Sequence, residues 1–176
     1  MTNRRALTAA LFALALPTLA SAQSPADAKQ EFLAQFNTSM EKFIALAEAM
    51  PAEKFTWAPG AGVMPVGHVY AHVVHYNYAY PSENKGVTAP AGVNLGTIEN
   101  VRDKANVVRM LRESRTYVQN AVTKMTPADL AKQTELYGRQ VPQWSVLLQL
   151  VSHMNEHLGQ SIAYARMNNI VPPWSR

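Results

Sequence analysis

Cysteine is absent from all 176 residues. That excludes disulfides, thiolate zinc sites, iron–sulfur clusters and a cysteine nucleophile. Any metal must therefore be held by imidazole, carboxylate or amide groups. Charge of one sign is also scarce. The formal net charge is +4, and leaving out Arg4 and Arg5 reduces it to +2, too little to argue for a nucleic-acid partner. Arg102, Lys104, Arg109, Arg112 and Arg115 are interspersed with Asp103 and Glu113, the pattern of a solvated helix face. The apolar run Ala6–Leu16 is too short for a comfortable membrane span. No stretch alternates as a strand, and there is no internal repeat.

The first residues, "MTNRRALTAALFALALPTLASAQ", have a basic start, an apolar middle and "ASA" before Gln23. This is the layout of a secretory signal peptide, with cleavage expected after Ala22. The expected mature chain is residues 23–176, one domain, periplasmic or secreted, with no stable membrane insertion after cleavage. No cysteine follows the cleavage region, so lipid attachment there is excluded.

Four long segments have helical period. The first starts at "SPADAKQEF", with Ser24 as N-cap and Pro25 at the first helical position, and runs to Met50 before Pro51. The second is expected from about Pro65 to Tyr80, stopped by Pro81. "PSENKGVTAPAGVNLG" is a long crossover, which allows the helices on either side to be joined without being antiparallel neighbours. The third segment is expected from about Thr97 to Lys124, with Glu99 and Asp103 favourably placed for its dipole. "TPADL" suggests a short turn of helix, and "AKQTELYGRQ" a polar loop. The fourth segment runs from Pro142 to about Asn168. Four amphipathic helices with one long crossover predict an all-α four-helix bundle.

The five histidines fall in two groups. "VSHMNEHLGQ" holds His153 and His157, and "GHVYAHVVHYNY" holds His68, His72 and His75. In the second helix Val66, Val69, Tyr70, Val73 and Val74 draw the apolar stripe. His72 lies roughly 130° from its centre, and His68 and His75 nearly opposite it, at 100° per residue. In the fourth helix His157 and His153 lie roughly 95° and 135° from the stripe of Leu147, Val151, Met154, Leu158 and Ile162. Both groups sit on a shoulder of their helix, which suits a cleft at one edge of a bundle. Histidines four apart share a helical face and can reach one ion. A third imidazole from the other helix would leave the ion its full +2 charge and an open position. Spacing alone does not choose between such a site and solvated helix histidines, and His68 and His75 read as surface residues.

Four pieces of the chain resemble the DinB/YfiT-like family, whose members are regarded as metalloenzymes. They are "MPAEKFTWAPGAG", "MPVGHVYAH", "HMNEHLGQSIAYAR" and "NNIVPP", in the family's order and spacing. The resemblance implies a bundle binding one divalent ion through His72, His153 and His157. Imidazole donors suit zinc or nickel, with iron and copper as alternatives. His68, Gln160 and Tyr164 are candidates for positions beside the ligands or in the cleft, Gln160 by fixing the tautomer of His157. Tyr76 and Asn77 are cleft candidates that packing explains equally well. Trp57 reads as a loop anchor and Glu156 as a surface carboxylate.

Relatives of this kind include thiol-dependent S-transferases and maleylpyruvate isomerase-like enzymes. The leader sequence argues against carrying their activity over, because low-molecular-weight thiols belong mainly to the cytosol. The expectation is an exported metal-dependent enzyme, of hydrolase or transferase type, acting on an unidentified small molecule. The alternative is a non-catalytic metal-binding or structural bundle, monomeric or homodimeric.

Overall fold

The computed structural model describes residues 25–175. The expected signal segment and the Ser24 cap lie outside them. Four long helices make the bundle: α1 (Pro25–Ala49), α2 (Val66–Lys85), α4 (Lys104–Thr123) and α6 (Gln143–Met167). Between them lie two short helices, α3 (Leu95–Ile98) and α5 (Pro127–Ala131), and a hairpin of β1 (Gln133–Leu136) and β2 (Arg139–Pro142). Among the described residues no helix is long and apolar enough to cross a membrane.

Burying the apolar stripes places α4 and α6 each against both α1 and α2. Phe36, Met40 and Phe43 of α1 meet Val69 and Val73 of α2, Leu111 and Val118 of α4, and Leu150 and Met154 of α6 in one core. Cross-contacts set the directions. Lys104 Nζ donates to the carbonyls of Glu48 and Met50 at the end of α1, and Lys29 Nζ to those of Thr123 and Met125. Each lysine so caps the C-terminus of the other helix, and α1 and α4 are antiparallel. Asn77 donates to Ser114 Oγ at 3.1 Å, and the tilted rings of Tyr78 and Tyr117 pack together, while Gly67 faces Arg102. Thus α2 and α4 run parallel, and the crossover must return along the whole of α2. A Cβ at Gly67 would come within 3.1 Å of the Phe55 carbonyl and 3.3 Å of Arg102 Cδ. Glycine lets both approach without the few tenths of an ångström of adjustment that a side chain would demand.

Three boundaries differ from the sequence expectation. First, α2 continues through Pro81 to Lys85. The proline forfeits one backbone bond, yet its ring is buried and the Ser82 hydroxyl donates to the Tyr78 carbonyl at 2.8 Å. Gly86, at φ 63°, ends the helix in the left-handed region. Second, the third long helix begins at Lys104, not near Thr97, because Asp103 is its N-cap and accepts from the Asn106 amide. Thr97 belongs to α3, capped by Asn94, and Glu99 is free of any role at the α4 dipole. Third, the polar loop expected at 131–140 contains an antiparallel ladder pairing Leu136 with Arg139 and Thr134 with Val141. Its turn residues Tyr137 and Gly138 both have positive φ, 51° and 73°, as a two-residue hairpin turn demands. Tyrosine is an uncommon choice there, and the polar strands do not alternate, so the usual signals are missing. The "TPADL" turn is present as α5, with a full capping box between Thr126 and Asp129.

Leu111 is sealed in the core whereas Leu148 is 62% exposed. Leu111→Ala is expected to lower unfolding free energy by about 2–5 kcal/mol, and Leu148→Ala by no more than about 0.5 kcal/mol. Urea unfolding of the two variants checks both values.

Candidate metal centre

Helix α2 is pinned by Val66, Val69, Tyr70, Val73 and Val74, all buried, and this turns His72 toward α6 and His68 and His75 toward Glu99 and Leu95. Helix α6 is pinned by Leu147, Leu150, Met154, Leu158 and Ser161, which turns His153 and His157 toward His72. The two shoulders meet. Ring centroids lie 5.1 Å apart for His72–His153, 4.8 Å for His72–His157 and 4.6 Å for His153–His157. One ring nitrogen from each of the three lies within 4.8 Å of the other two. All five histidines are half-buried, including His68 and His75, which the rotational reading had placed on the surface.

Hydrogen bonds fix which nitrogens face inward. His72 Nδ1 is 2.8 Å from Glu99 Oε1. The ionised carboxylate can only accept, so Nδ1 carries the proton and Nε2 a lone pair. Burial raises the affinity of Glu99 for a proton, but hydrogen bonds from His68 and His72 outweigh it and hold the carboxyl below its usual value. On α6 the relay ends at Met64, whose carbonyl accepts from the Tyr164 hydroxyl at 3.2 Å. Tyr164 therefore accepts from Gln160 Nε2 at 2.9 Å, and Gln160 Oε1 accepts from His157 Nδ1 at 2.8 Å. His157 Nε2 is left with its lone pair. Trp57, edge-on to Tyr164 at 5.5 Å, braces this relay from the loop after α1.

His153 Nε2 is 3.2 Å from His72 Nε2. Two nitrogens held at 2.0–2.1 Å from one ion in tetrahedral geometry lie roughly 3.3–3.4 Å apart, so the spacing fits a shared cation. Burial, reinforced by His157 and His72, pushes the His153 imidazole down to about 4. Burial also lowers His72, against the pull of Glu99. Both are neutral near pH 7, the form that binds metal. Tyr76 lies against the group, its ring 4.4 Å from His153 and 4.8 Å from His72. Tyr80 packs edge-on to His153 and shares a hydroxyl–hydroxyl hydrogen bond with Tyr137 at the hairpin turn.

Of the residues expected at the site, His72, His153, His157, Gln160 and Tyr164 come together, and His68 joins through Glu99 Oε2 at 3.1 Å. Asn77 does not; it is buried against Ser114 and Met40. Glu156 is exposed. Glu99 is the residue that sequence reasoning missed. The one signal that could have found it is the Asp103 cap, which moves the helix start past Glu99 and leaves a carboxylate free in the crossover.

The family model described as the DinB superfamily matches residues 35–161. The chain belongs to the DinB superfamily. Solved structures of other DinB-like proteins share the fold. One from Bacillus cereus ATCC 10987 is 20% identical with a TM-score of 0.71, covering 82% of this chain and 95% of its own. One from Bacillus subtilis is 16% identical with a TM-score of 0.61, covering 85% and 97%. No curated protein matches the chain. The three histidines of this DinB-superfamily bundle lie at the α2–α6 edge, inside the span the family model matches.

The low affinity of folded His153 for a proton has a consequence for stability. Between its ordinary value of 6.5 and about 4, the unfolded chain binds a proton that the folded chain does not, so stability is lost as pH falls through this window. In metal-free protein the His153 ring is expected to titrate near pH 4 by NMR. His153→Asn is expected to flatten the decline of the urea midpoint between pH 7 and pH 5.

Proposed function

We propose that this chain binds one divalent metal ion through Nε2 of His72, His153 and His157, and that it is an exported metal-dependent enzyme of hydrolase or transferase type acting on a small molecule. The observation that carries the reading is the convergence of three ring nitrogens within 4.8 Å, two of them aimed by acceptor groups on Glu99 and Gln160. Three neutral ligands leave a coordination position for water or substrate, and a bound ion would supply Lewis acidity or a water ionised near neutral pH. Glu99 and Gln160 hold the two imidazoles in the required tautomer, and Tyr76 and Tyr80 form an apolar wall beside them. Zinc or nickel suits the donor set best, and iron and copper are compatible with it.

Partner chemistry follows from charge. The pairing of Arg109, Arg112 and Arg115 with Glu113, Glu48 and Glu41 supports a small-molecule partner over nucleic acid. The proposal of export rests on the leader-like residues 1–22. Protein recovered from the producing cell is expected to begin at Gln23 by N-terminal sequencing; an intact Met1 start removes the export part of the proposal.

One observation favours a second reading, a non-catalytic metal-binding bundle. Both oxygens of Glu99 are engaged, by His68 and His72, so that carboxylate is not free to act as a base. Loss of turnover in His157→Ala with the fold retained would remove this reading.

Elemental analysis of protein purified without a histidine tag is expected to find one equivalent of metal, lost in His72→Ala, His153→Ala and His157→Ala. A wild-type chain with no bound metal and no affinity for zinc or nickel sinks the proposal. Glu99→Ala and Gln160→Leu keep all three ligands but release their tautomers. Each is expected to weaken binding about 10- to 100-fold, measured by competition with a chelator.

A further inference from the structure

Glu99 stands between two sets of donors. Toward α6 it orients His72; toward solvent it meets His68. The ligand atoms of His68, His72 and Glu99 lie within 4.8 Å of one another, as those of the three-histidine group do. We propose that His68 and Glu99 form a second divalent-cation site beside the protonated Nδ1 of His72, weaker than the first and antagonistic to it. Calling it second rests on the three-histidine reading.

Four observations support it. The 3.1 Å from His68 Nε2 to Glu99 Oε2 is a hydrogen bond a little shorter than the roughly 3.3–3.6 Å between two donors on one tetrahedral ion, and a small movement opens it to a cation once His68 carries its proton on Nδ1. The charge is favourable, because this group contains a carboxylate and the three-histidine group contains none. Solvent reaches it, since the side chains of His68 and Glu99 are 26% and 32% exposed. Finally, the donors come from α2 and from the end of α3, which already touch there. Arg102 donates to the Glu99 carbonyl and His75 Nδ1 faces the Leu95 carbonyl at 3.1 Å, so an ion orders nothing that is not already in place.

His72 explains both the weakness and the antagonism. A neutral imidazole has one lone pair. While Nε2 serves the three-histidine site, Nδ1 holds a proton, and the second ion has only His68 and Glu99 with water completing its shell. Filling the second site also draws Glu99 away from His72, which loosens the first. By reciprocity, filling the first must loosen the second. Imidazole with carboxylate suits zinc or copper, and zinc is the practical probe.

Tag-free, chelator-stripped protein is titrated with zinc by calorimetry, with bound ions counted by native mass spectrometry. A tight phase followed by a weaker one is expected. His68→Ala, a half-exposed position outside the three-histidine set, is expected to lose the weak phase and keep the tight one, with its helical circular dichroism unchanged. His153→Ala is expected to do the reverse. A single phase of one equivalent in wild type, or a weak phase that survives in His68→Ala, overturns the second site and leaves the first standing. A tight phase lost in His68→Ala yet retained in His153→Ala would instead overturn the three-histidine reading and make His68–Glu99 the principal site.

Discussion

Val69 and Val73 on α2, and Met154 and Leu158 on α6, are sealed from water along one side of each helix, and that burial fixes how each helix is rotated. Residues four apart on a helix share a face, so fixing the apolar face also fixes the direction of the shoulder beside it. With α2 and α6 packed together, the shoulder bearing His72 meets the one bearing His153 and His157. The polar site is in this sense a by-product of apolar packing. The imidazoles are brought within ring contact by apolar residues whose own side chains point into the core.

Packing brings the rings together, but hydrogen-bond polarity decides what they can do. At the end of each relay is a group that can only accept: the Glu99 carboxylate for His72 and the Met64 carbonyl for His157. Each such end forces the direction of every bond before it. The outcome is that His72 and His157 each keep an Nε2 lone pair, and that of His72 faces His153 Nε2 at 3.2 Å. Burial keeps His72 and His153 neutral, so the group offers lone pairs without the repulsion of three charges.

The crossover carries the remaining element. Because α2 and α4 are parallel neighbours, the chain must travel back along α2 between them, and the return path passes over the histidines. That passage places Glu99 against His68 and His72, and it runs close to Gly67, where a Cβ would be crowded by the Phe55 carbonyl and Arg102. The same passage makes Glu99 a member of two donor groups at once, which ties the three-histidine group to the more exposed face of α2.

Much of this was legible in the sequence because it is local or periodic. The apolar stripes, the capping box at Thr126, the i, i+4 histidine pair of α6 and the Gln160–His157 contact all follow from helical period. Family resemblance supplied His72 as their partner. Glu99, by contrast, lies 27 residues from His72 in the chain, and no local pattern links them. Likewise the continuation of α2 through Pro81 depended on the burial of its ring and on Ser82, and the hairpin on a tyrosine tolerated at positive φ. Period and capping act within a few residues, so the sequence determined the helices and the faces they present. Which carboxylate meets which imidazole depends on how distant segments pack, and only the tertiary structure decided that.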